Sequence, residues 1–402
     1  MDNSEKVKIV LTRGVEQIFP SAKDLEKLIL GKKIRLYCGY DPTGSSLHLG
    51  HAITLMKLAQ FQELGHEVIM LIGDFTGMIG DPTEKLSARK KLTREQVLEN
   101  AKNYQAMASK IIKFDGPNPA KIRFNSEWSD KLSFRDLIEL SSNFTVQQMM
   151  AREMFQERTK KGEPIFLHEF LYPLAQAYDS VAMDVDLEVG GNDQMFNMLC
   201  GRDLMKALKN KEKLVLTLKL LTDSSGKKMG KSEGNMVEMT TVPQDMYGKI
   251  MSWPDELIIP GLELLTKVPL GEIEKIAGQM AKNKINPRDA KARLAEEVTT
   301  LFHSKEAAQS AAKEFDRIFK DKKEPSQITK VVLKEKELPV TIIDTVTGVG
   351  LAETNSEARR LIEQGGVTID GKKITDWNQK VKVKKGMKIT AGKREIREID
   401  ID

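Results

Sequence analysis

Only two cysteines occur in the 402 residues, Cys38 and Cys200. That leaves no disulfide framework and no cysteine-based zinc spacing to draw. Long apolar stretches are missing as well: no run approaches the ~18 residues that a membrane span needs. The opening MDNSEKVKIV lacks the basic-then-apolar layout of a secretory leader, so a reducing cytoplasm is the expected setting and no membrane partner is expected. Internal repeats and low-complexity tracts are absent too. What remains is globular in character, 40% apolar and 30% charged, and long enough for two or three domains. The net charge of +5 permits an anionic partner without demanding one. Histidine is scarce, yet two of the five sit together in LHLGH (47–51), directly after the turn-rich YDPTGSS.

The segment KIRLYCGY (33–40) reads as a strand, DPTGSS as a turn, and the apolar spacing from Leu49 as a helix that Gly65 stops. HEVIMLIGDF (66–75) then has the near-continuous apolar character of a buried parallel strand. Strand, glycine-bearing turn, helix, strand is the opening of a doubly wound, Rossmann-type parallel sheet. The alternation continues with helices near 94–113, over 133–157 and near 168–181, and a strand at VDLEVGG (185–191). A helix over 194–209 and a strand at KLVLTLKLL (213–221) complete it. The expected fold is therefore α/β: a helical segment over 1–33, a Rossmann-type domain over 34–222 with a helical insertion at about 115–165, and a loop over 223–235. A helical domain over 236–320 follows, punctuated by Pro243, Pro254, Pro269 and Pro287. A charged linker over 321–337 then leads to a small α+β domain over 338–402, where NSEARRLIEQGG reads as a helix and VTIDGKKI and MKITAGK as strands.

A helix that begins right after a parallel strand offers unpaired backbone N–H groups and a positive dipole end, which suits phosphate. Gly50 would let a flat ring lie against the backbone, and His48 and His51, three apart, could donate to phosphate or ribose oxygens. Two capping or solvated histidines are the plainer alternative. Downstream, KKMGKS (227–232) places Lys228 and Lys231 in a glycine-bearing loop, where two ammonium groups could close over a polyphosphate. Alone, such a loop reads equally as solvated surface. The pairing of the two features is far more specific than either part.

That pairing, HLGH (48–51) with KMGKS (228–232), resembles the HIGH and KMSKS signatures of class I aminoacyl-tRNA synthetases. YCGYDPTGSSLHLGH (37–51), TGMIGDP (76–82), YPLAQAYD (172–179) and GGNDQ (190–194) narrow the resemblance to bacterial-type tyrosyl-tRNA synthetases, over nearly the whole chain. The family implies activation of an amino acid by ATP, taken with Mg²⁺ as a substrate, and then transfer to tRNA. It implies no tightly bound, protein-ligated metal. The sequence departs from the family pattern at Gly230, where the generic loop has serine, and at Met195, where a family variant has tryptophan after the glutamine. Pro173 falls inside the proposed helix and must lie in its first turn or kink it.

The resemblance also implies roles. Thr43 and His48 would meet the γ-phosphate end of ATP, with Lys228 and Lys231 from the glycine-bearing loop and Lys85 and Arg89 from the loop after GDP. Cys38, His51 and Asp193 would hold the ribose, Gly50 would leave room for the base, and Gly39, Asp41 and Gly191 would complete the ATP site. Tyr172, Gln176 and Asp179 share one helix face. Asp179 and Tyr37 would flank a phenolic hydroxyl, Tyr172, Gln176 and Asp81 the α-ammonium, and Gln194 the carboxylate. Residues 372–397 carry ten lysines and arginines, beginning with Lys372 and Lys373, against only Asp376 and Glu395. With Arg359 and Arg360 on the preceding helix, this resembles a small ribosomal-type RNA-binding fold, so tRNA(Tyr) is the expected partner beside L-tyrosine and ATP. A homodimer built through the helical insertion is the family's assembly. Two alternatives stand beside this reading: a tryptophanyl-tRNA synthetase, against which Tyr37 and Asp179 argue, and a catalytically inactive RNA-binding descendant, against which the complete histidine and lysine sets argue.

Overall fold

RLYCGY, EVIMLI, LEVGG and LVLTL are buried almost throughout, as parallel strands with helices on both faces must be. The computed structural model describes residues 2–81, 92–222, 236–326, 328–334, 341–392 and 395–402, in two compact units, Met1–Lys305 and Glu306–Asp402. The first unit opens with α1 (Asn3–Thr12), β1 (Val15–Phe19) and α2 (Ala22–Gly31), then β2 (Arg35–Tyr40), α3 (Leu49–Glu63) and β3 (Glu67–Ile72). Three short helices follow, α4 (Thr76–Ile79), α5 (Arg94–Ala101) and α6 (Tyr104–Ala108), before β4 (Lys121–Phe124). Next come α7 (Ser126–Ser129), α8 (Phe134–Ser141), α9 (Val146–Met150) and α10 (Glu153–Lys161). The long α11 (Leu167–Met183), β5 (Leu187–Gly191), α12 (Met195–Lys209) and β6 (Leu214–Leu218) close the sheet.

The strand order is β1-β6-β5-β2-β3-β4, parallel throughout except for β1, which runs antiparallel to β6. Two expectations need correction here. The segment before residue 34 is not purely helical, because VEQIF forms the antiparallel edge strand. The stretch from 115 is not purely helical either: KIRF forms the other edge, beside β3, and the helices start only at Ser126. Pro173 lies in the interior of α11, beyond its first turn, and does not end the helix.

After the sheet, α13 (Pro243–Met251), α14 (Ile258–Leu265), α15 (Leu270–Ala281) and α16 (Pro287–Phe302) form the helical part. Pro243 and Pro287 occupy first-turn positions, and Pro254 and Pro269 cap the turns that follow them, where a missing N–H costs nothing. Arg13 braces this part to the N-terminal segment: its guanidinium donates to the carbonyls of Leu262, Glu263, Thr266 and Val268, around the C-terminal end of α14.

The second unit holds most of α17 (Lys305–Phe319), then β7 (Thr329–Leu333), α18 (Ile342–Gly348), α19 (Asn355–Glu363), β8 (Val367–Ile369), β9 (Lys372–Ile374), β10 (Lys388–Ala391) and β11 (Glu395–Ile401). Its sheet runs β7-β11-β10-β8-β9, with Ile342, Val346, Ile362, Val367 and Ile389 fully buried beneath. The expected linker is therefore shorter than 321–337, since TKVVL pairs in parallel with β11.

Candidate active site

From β2 the chain runs outward to β3 and β4, then crosses back to β5 and β6 on the other side of β2, so the strand order reverses between β2 and β5. In an open α/β sheet a ligand crevice forms where the order reverses, at the carboxyl ends of the strands. Here β2 and β5 pair only at Leu36–Leu187 and Tyr37–Glu188 and then part. The chain leaving β2 supplies Asp41, Thr43 and the LHLGH turn; the chain leaving β5 supplies Gly191, Asp193 and Gln194 in a short 3₁₀ turn.

On the β2 side, His48 is the extended N-cap of α3 and His51 lies in its first turn. The Gly50 N–H donates to His48 Nδ1 at 3.1 Å, and the His48 N–H donates to His51 Nδ1 at 3.1 Å. With Nδ1 accepting, each neutral ring carries its proton on Nε2, the atom through which it can donate. The rings lie 3.9 Å apart. Gly50 has a stricter reason than room for a base: a Cβ there would stand 2.8 Å from the His48 ring. Cys38 is buried, which pushes its thiol up to about 12, so it is a neutral, weak donor beside exposed Gly39.

Lys228 and Lys231, like Lys85 and Arg89, lie outside the described residues. The chain just beyond the lysine loop is described, and it is tied to the histidine turn. Leu49 N–H donates to Val237 O at 3.0 Å, Met239 N–H to Leu47 O at 2.8 Å, and Ser46 meets Thr240 at 3.2 Å.

On the amino-acid side, Tyr172 donates to Asp41 Oδ2 at 2.8 Å, and Thr76 donates to Asp41 Oδ1 at 2.6 Å. Asp41, expected at the ATP, thus belongs to the Tyr172 network. Burial pushes its carboxyl up to about 7 against those two hydrogen bonds, with the charge of Asp81 adding to the rise. Asp81 accepts from Gln194 Nε2 at 2.6 Å and lies 3.6 Å from the buried Arg152 guanidinium. Gln176 donates to Glu188 Oε1 at 2.9 Å. Asp179, 2% exposed, accepts from Trp128 Nε1 at 2.8 Å and Asn125 Nδ2 at 3.4 Å; burial raises its carboxyl well above the usual range while those donors oppose the rise. The Tyr37 hydroxyl meets Ser180 Oγ at 2.9 Å rather than Asp179. Sequence reasoning missed Asn125, Trp128, Ser180, Glu188 and Lys213. One signal was legible: Glu188 is a carboxylate inside an otherwise apolar strand.

In the second unit Arg359 and Arg360 are exposed on α19, and Lys372 and Lys373 are exposed on β9. The Arg359 guanidinium lies over Trp377, 4.2 Å from the ring centre, and also donates to Glu363 at 2.8 Å. Lys385, Lys388 and Arg397 are paired with Asp400, Glu324 and Glu395, so the basic surface is narrower than the sequence count implies.

This architecture is that of a class I aminoacyl-tRNA synthetase carrying an added RNA-binding module. Residues 30–320 match the family described as tRNA synthetases class I (W and Y), and residues 346–387 match the S4 domain. The chain is 46% identical over 399 residues to a tyrosine–tRNA ligase of Carboxydothermus hydrogenoformans, covering 96% of this chain and 95% of that one. It is 45% identical to a tyrosine–tRNA ligase of Thermotoga maritima, covering 94% and 92%. A C-terminally truncated mitochondrial tyrosyl-tRNA synthetase of Coccidioides posadasii shares the fold at a TM-score of 0.62 and 26% identity, over 77% of this chain and 91% of that one. The chain belongs to the tyrosyl-tRNA synthetase family.

Proposed function

We propose that this protein is a tyrosine–tRNA ligase. It joins L-tyrosine to ATP as tyrosyl-adenylate, releasing pyrophosphate, and passes the tyrosyl group to the 3′-terminal adenosine of tRNA(Tyr). The observation that supports this reading is that β2 carries the buried Tyr37 and leads directly to Asp41, held by Tyr172 of α11, and to the histidine turn.

A carboxylate is already a competent nucleophile at pH 7, so the protein's work is positioning and charge stabilisation. Tyrosine lies with its phenol toward Tyr37 and Asp179, its ammonium toward Tyr172, Gln176 and Asp81, and its carboxylate steadied by Gln194. Phenylalanine offers no hydroxyl to the buried Tyr37 and Asp179, and the established rejection by tyrosine-specific synthetases, roughly 10⁵-fold without editing, is the scale to expect. His48 and Thr43 donate to the phosphates as pyrophosphate departs, with Lys228, Lys231, Lys85 and Arg89 adding positive charge. His51, Asp193 and Cys38 hold the ribose, and Gly39 and Gly191 leave backbone room beside it. The backbone pairing of 237–239 with 47–49 supports this, because it anchors one end of the lysine loop beside His48. Mg²⁺ arrives with ATP as part of the substrate.

Arg359, Arg360, Lys372 and Lys373 offer guanidinium and ammonium groups to the tRNA backbone. A homodimer through the 126–167 region fits its exposed apolar side chains: Phe134 and Ile138, one turn apart on α8, are 79% and 55% exposed, and Leu167 is 79% exposed. No helix among the described residues is long and apolar enough to cross a membrane, and two buried free thiols suit a reducing cytoplasm. The test is ATP–pyrophosphate exchange with tyrosine, tryptophan and phenylalanine supplied separately. Exchange should depend on tyrosine; stimulation by tryptophan instead would overturn the substrate assignment.

A further inference from the structure

Lys213, the residue before β6, has no exposed side-chain surface. Its Nζ donates to Glu188 Oε2, to Ser180 Oγ at 3.0 Å and to the Met198 carbonyl at 3.0 Å, which uses all three ammonium protons. Room for this cation is made by Gly201 on α12, where a Cβ would stand 2.6 Å from Nζ and 2.9 Å from Ser180 Oγ. Buried ion pairs are often no more stabilising than well-packed apolar residues, so stability alone does not account for the arrangement.

What the pair touches does account for it. Glu188 Oε1 accepts from Gln176, and Glu188 stands opposite Tyr37 in the β2–β5 register. Lys213 donates to one lone pair of the Ser180 oxygen, which leaves that hydroxyl a second lone pair and its own hydrogen. Ser180 Oγ donates to Glu188 Oε2 at 3.4 Å and meets the Tyr37 hydroxyl at 2.9 Å, so Lys213, Glu188, Ser180 and Tyr37 form one buried network. The network fixes where the Tyr37 oxygen stands, and Tyr37 is the residue assigned to the substrate phenol.

We propose that Lys213 is a positioning residue for tyrosine selection: through Ser180 it holds the Tyr37 hydroxyl in place, and through Glu188 it fixes the amide of Gln176. This rests on the assignment of Tyr37 and Gln176 to the bound tyrosine. The test is ATP–pyrophosphate exchange on the full chain with Tyr37→Phe, Ser180→Ala, Lys213→Met and the double variant Lys213→Met/Glu188→Gln. Lys213→Met should raise KM for tyrosine roughly tenfold or more with KM for ATP held within about twofold. Ser180→Ala, a small change that leaves the ion pair in place, should lower selectivity for tyrosine over phenylalanine about tenfold. The double variant should recover most of the tyrosine KM, because a neutral amide in place of the Glu188 carboxylate still accepts from Gln176 and leaves no buried unpaired charge. Wild-type tyrosine KM and selectivity in both Ser180→Ala and Lys213→Met, beside a raised KM in Tyr37→Phe, would overturn the inference alone. An unchanged KM in Tyr37→Phe would overturn the assignment of the tyrosine site beneath it.

Discussion

Asp41 shows how enclosure sets the chemistry of a single side chain. An aspartate in an unfolded chain titrates near pH 4, whereas burial pushes the Asp41 carboxyl up to about 7. The folded state therefore holds this proton more tightly than the unfolded one. The stability that Asp41 contributes is fully present below about pH 4 and is lost as pH rises through about 7. Asp41→Asn cannot ionise and keeps an oxygen for Tyr172 or Thr76. Its thermal midpoint, measured relative to the parent chain, should climb between pH 5 and pH 8; a difference that stays constant across that range contradicts the assigned environment. At this scale the sequence was partly legible. The trio on α11 and the histidine pair could be picked out by spacing and resemblance. Lys213 and Ser180 could not: they act through other side chains and lie 33 residues apart, so no local pattern links them.

Among elements, the start of α3 is held by two hydrogen bonds between backbone and imidazole. Gly50→Ala puts a better helix former into the first turn, worth up to about 1 kcal/mol. The same Cβ presses on the His48 ring that the Gly50 N–H holds. The variant should keep or raise its thermal midpoint while kcat/KM for ATP in the exchange reaction falls roughly tenfold or more. Parent-like kcat/KM would remove His48 from the nucleotide site. Three strands that sequence reading missed share one property. β1, β4 and β7 are all sheet edges, short and only partly buried, with VEQIF, KIRF and TKVVL each carrying charge. In the larger sheet the central parallel strands announce themselves by apolar runs, and its edges β1 and β4 do not. The helical part was legible for the opposite reason, since Pro243, Pro254, Pro269 and Pro287 stand where its turns and helices begin.

At the scale of the whole molecule, the crevice proposed to select and activate the amino acid is carried on one chain with a second unit that holds the S4 domain. The division between them falls at residue 305, ahead of the charged linker, because most of α17 and all of β7 belong to the second unit. That boundary was not legible in composition, which registers charge and proline but not which sheet a short strand joins. The proposed chemistry requires tyrosine and nucleotide to share the β2–β5 crevice. A crystal structure with a non-hydrolysable tyrosyl-adenylate analogue and pyrophosphate measures this directly. The phenolic oxygen should lie within about 3 Å of Tyr37 and Asp179, and the imidazoles of His48 and His51 should donate to phosphate and ribose oxygens. A phenol ring seated outside that crevice, or imidazoles that reach neither group, would contradict it.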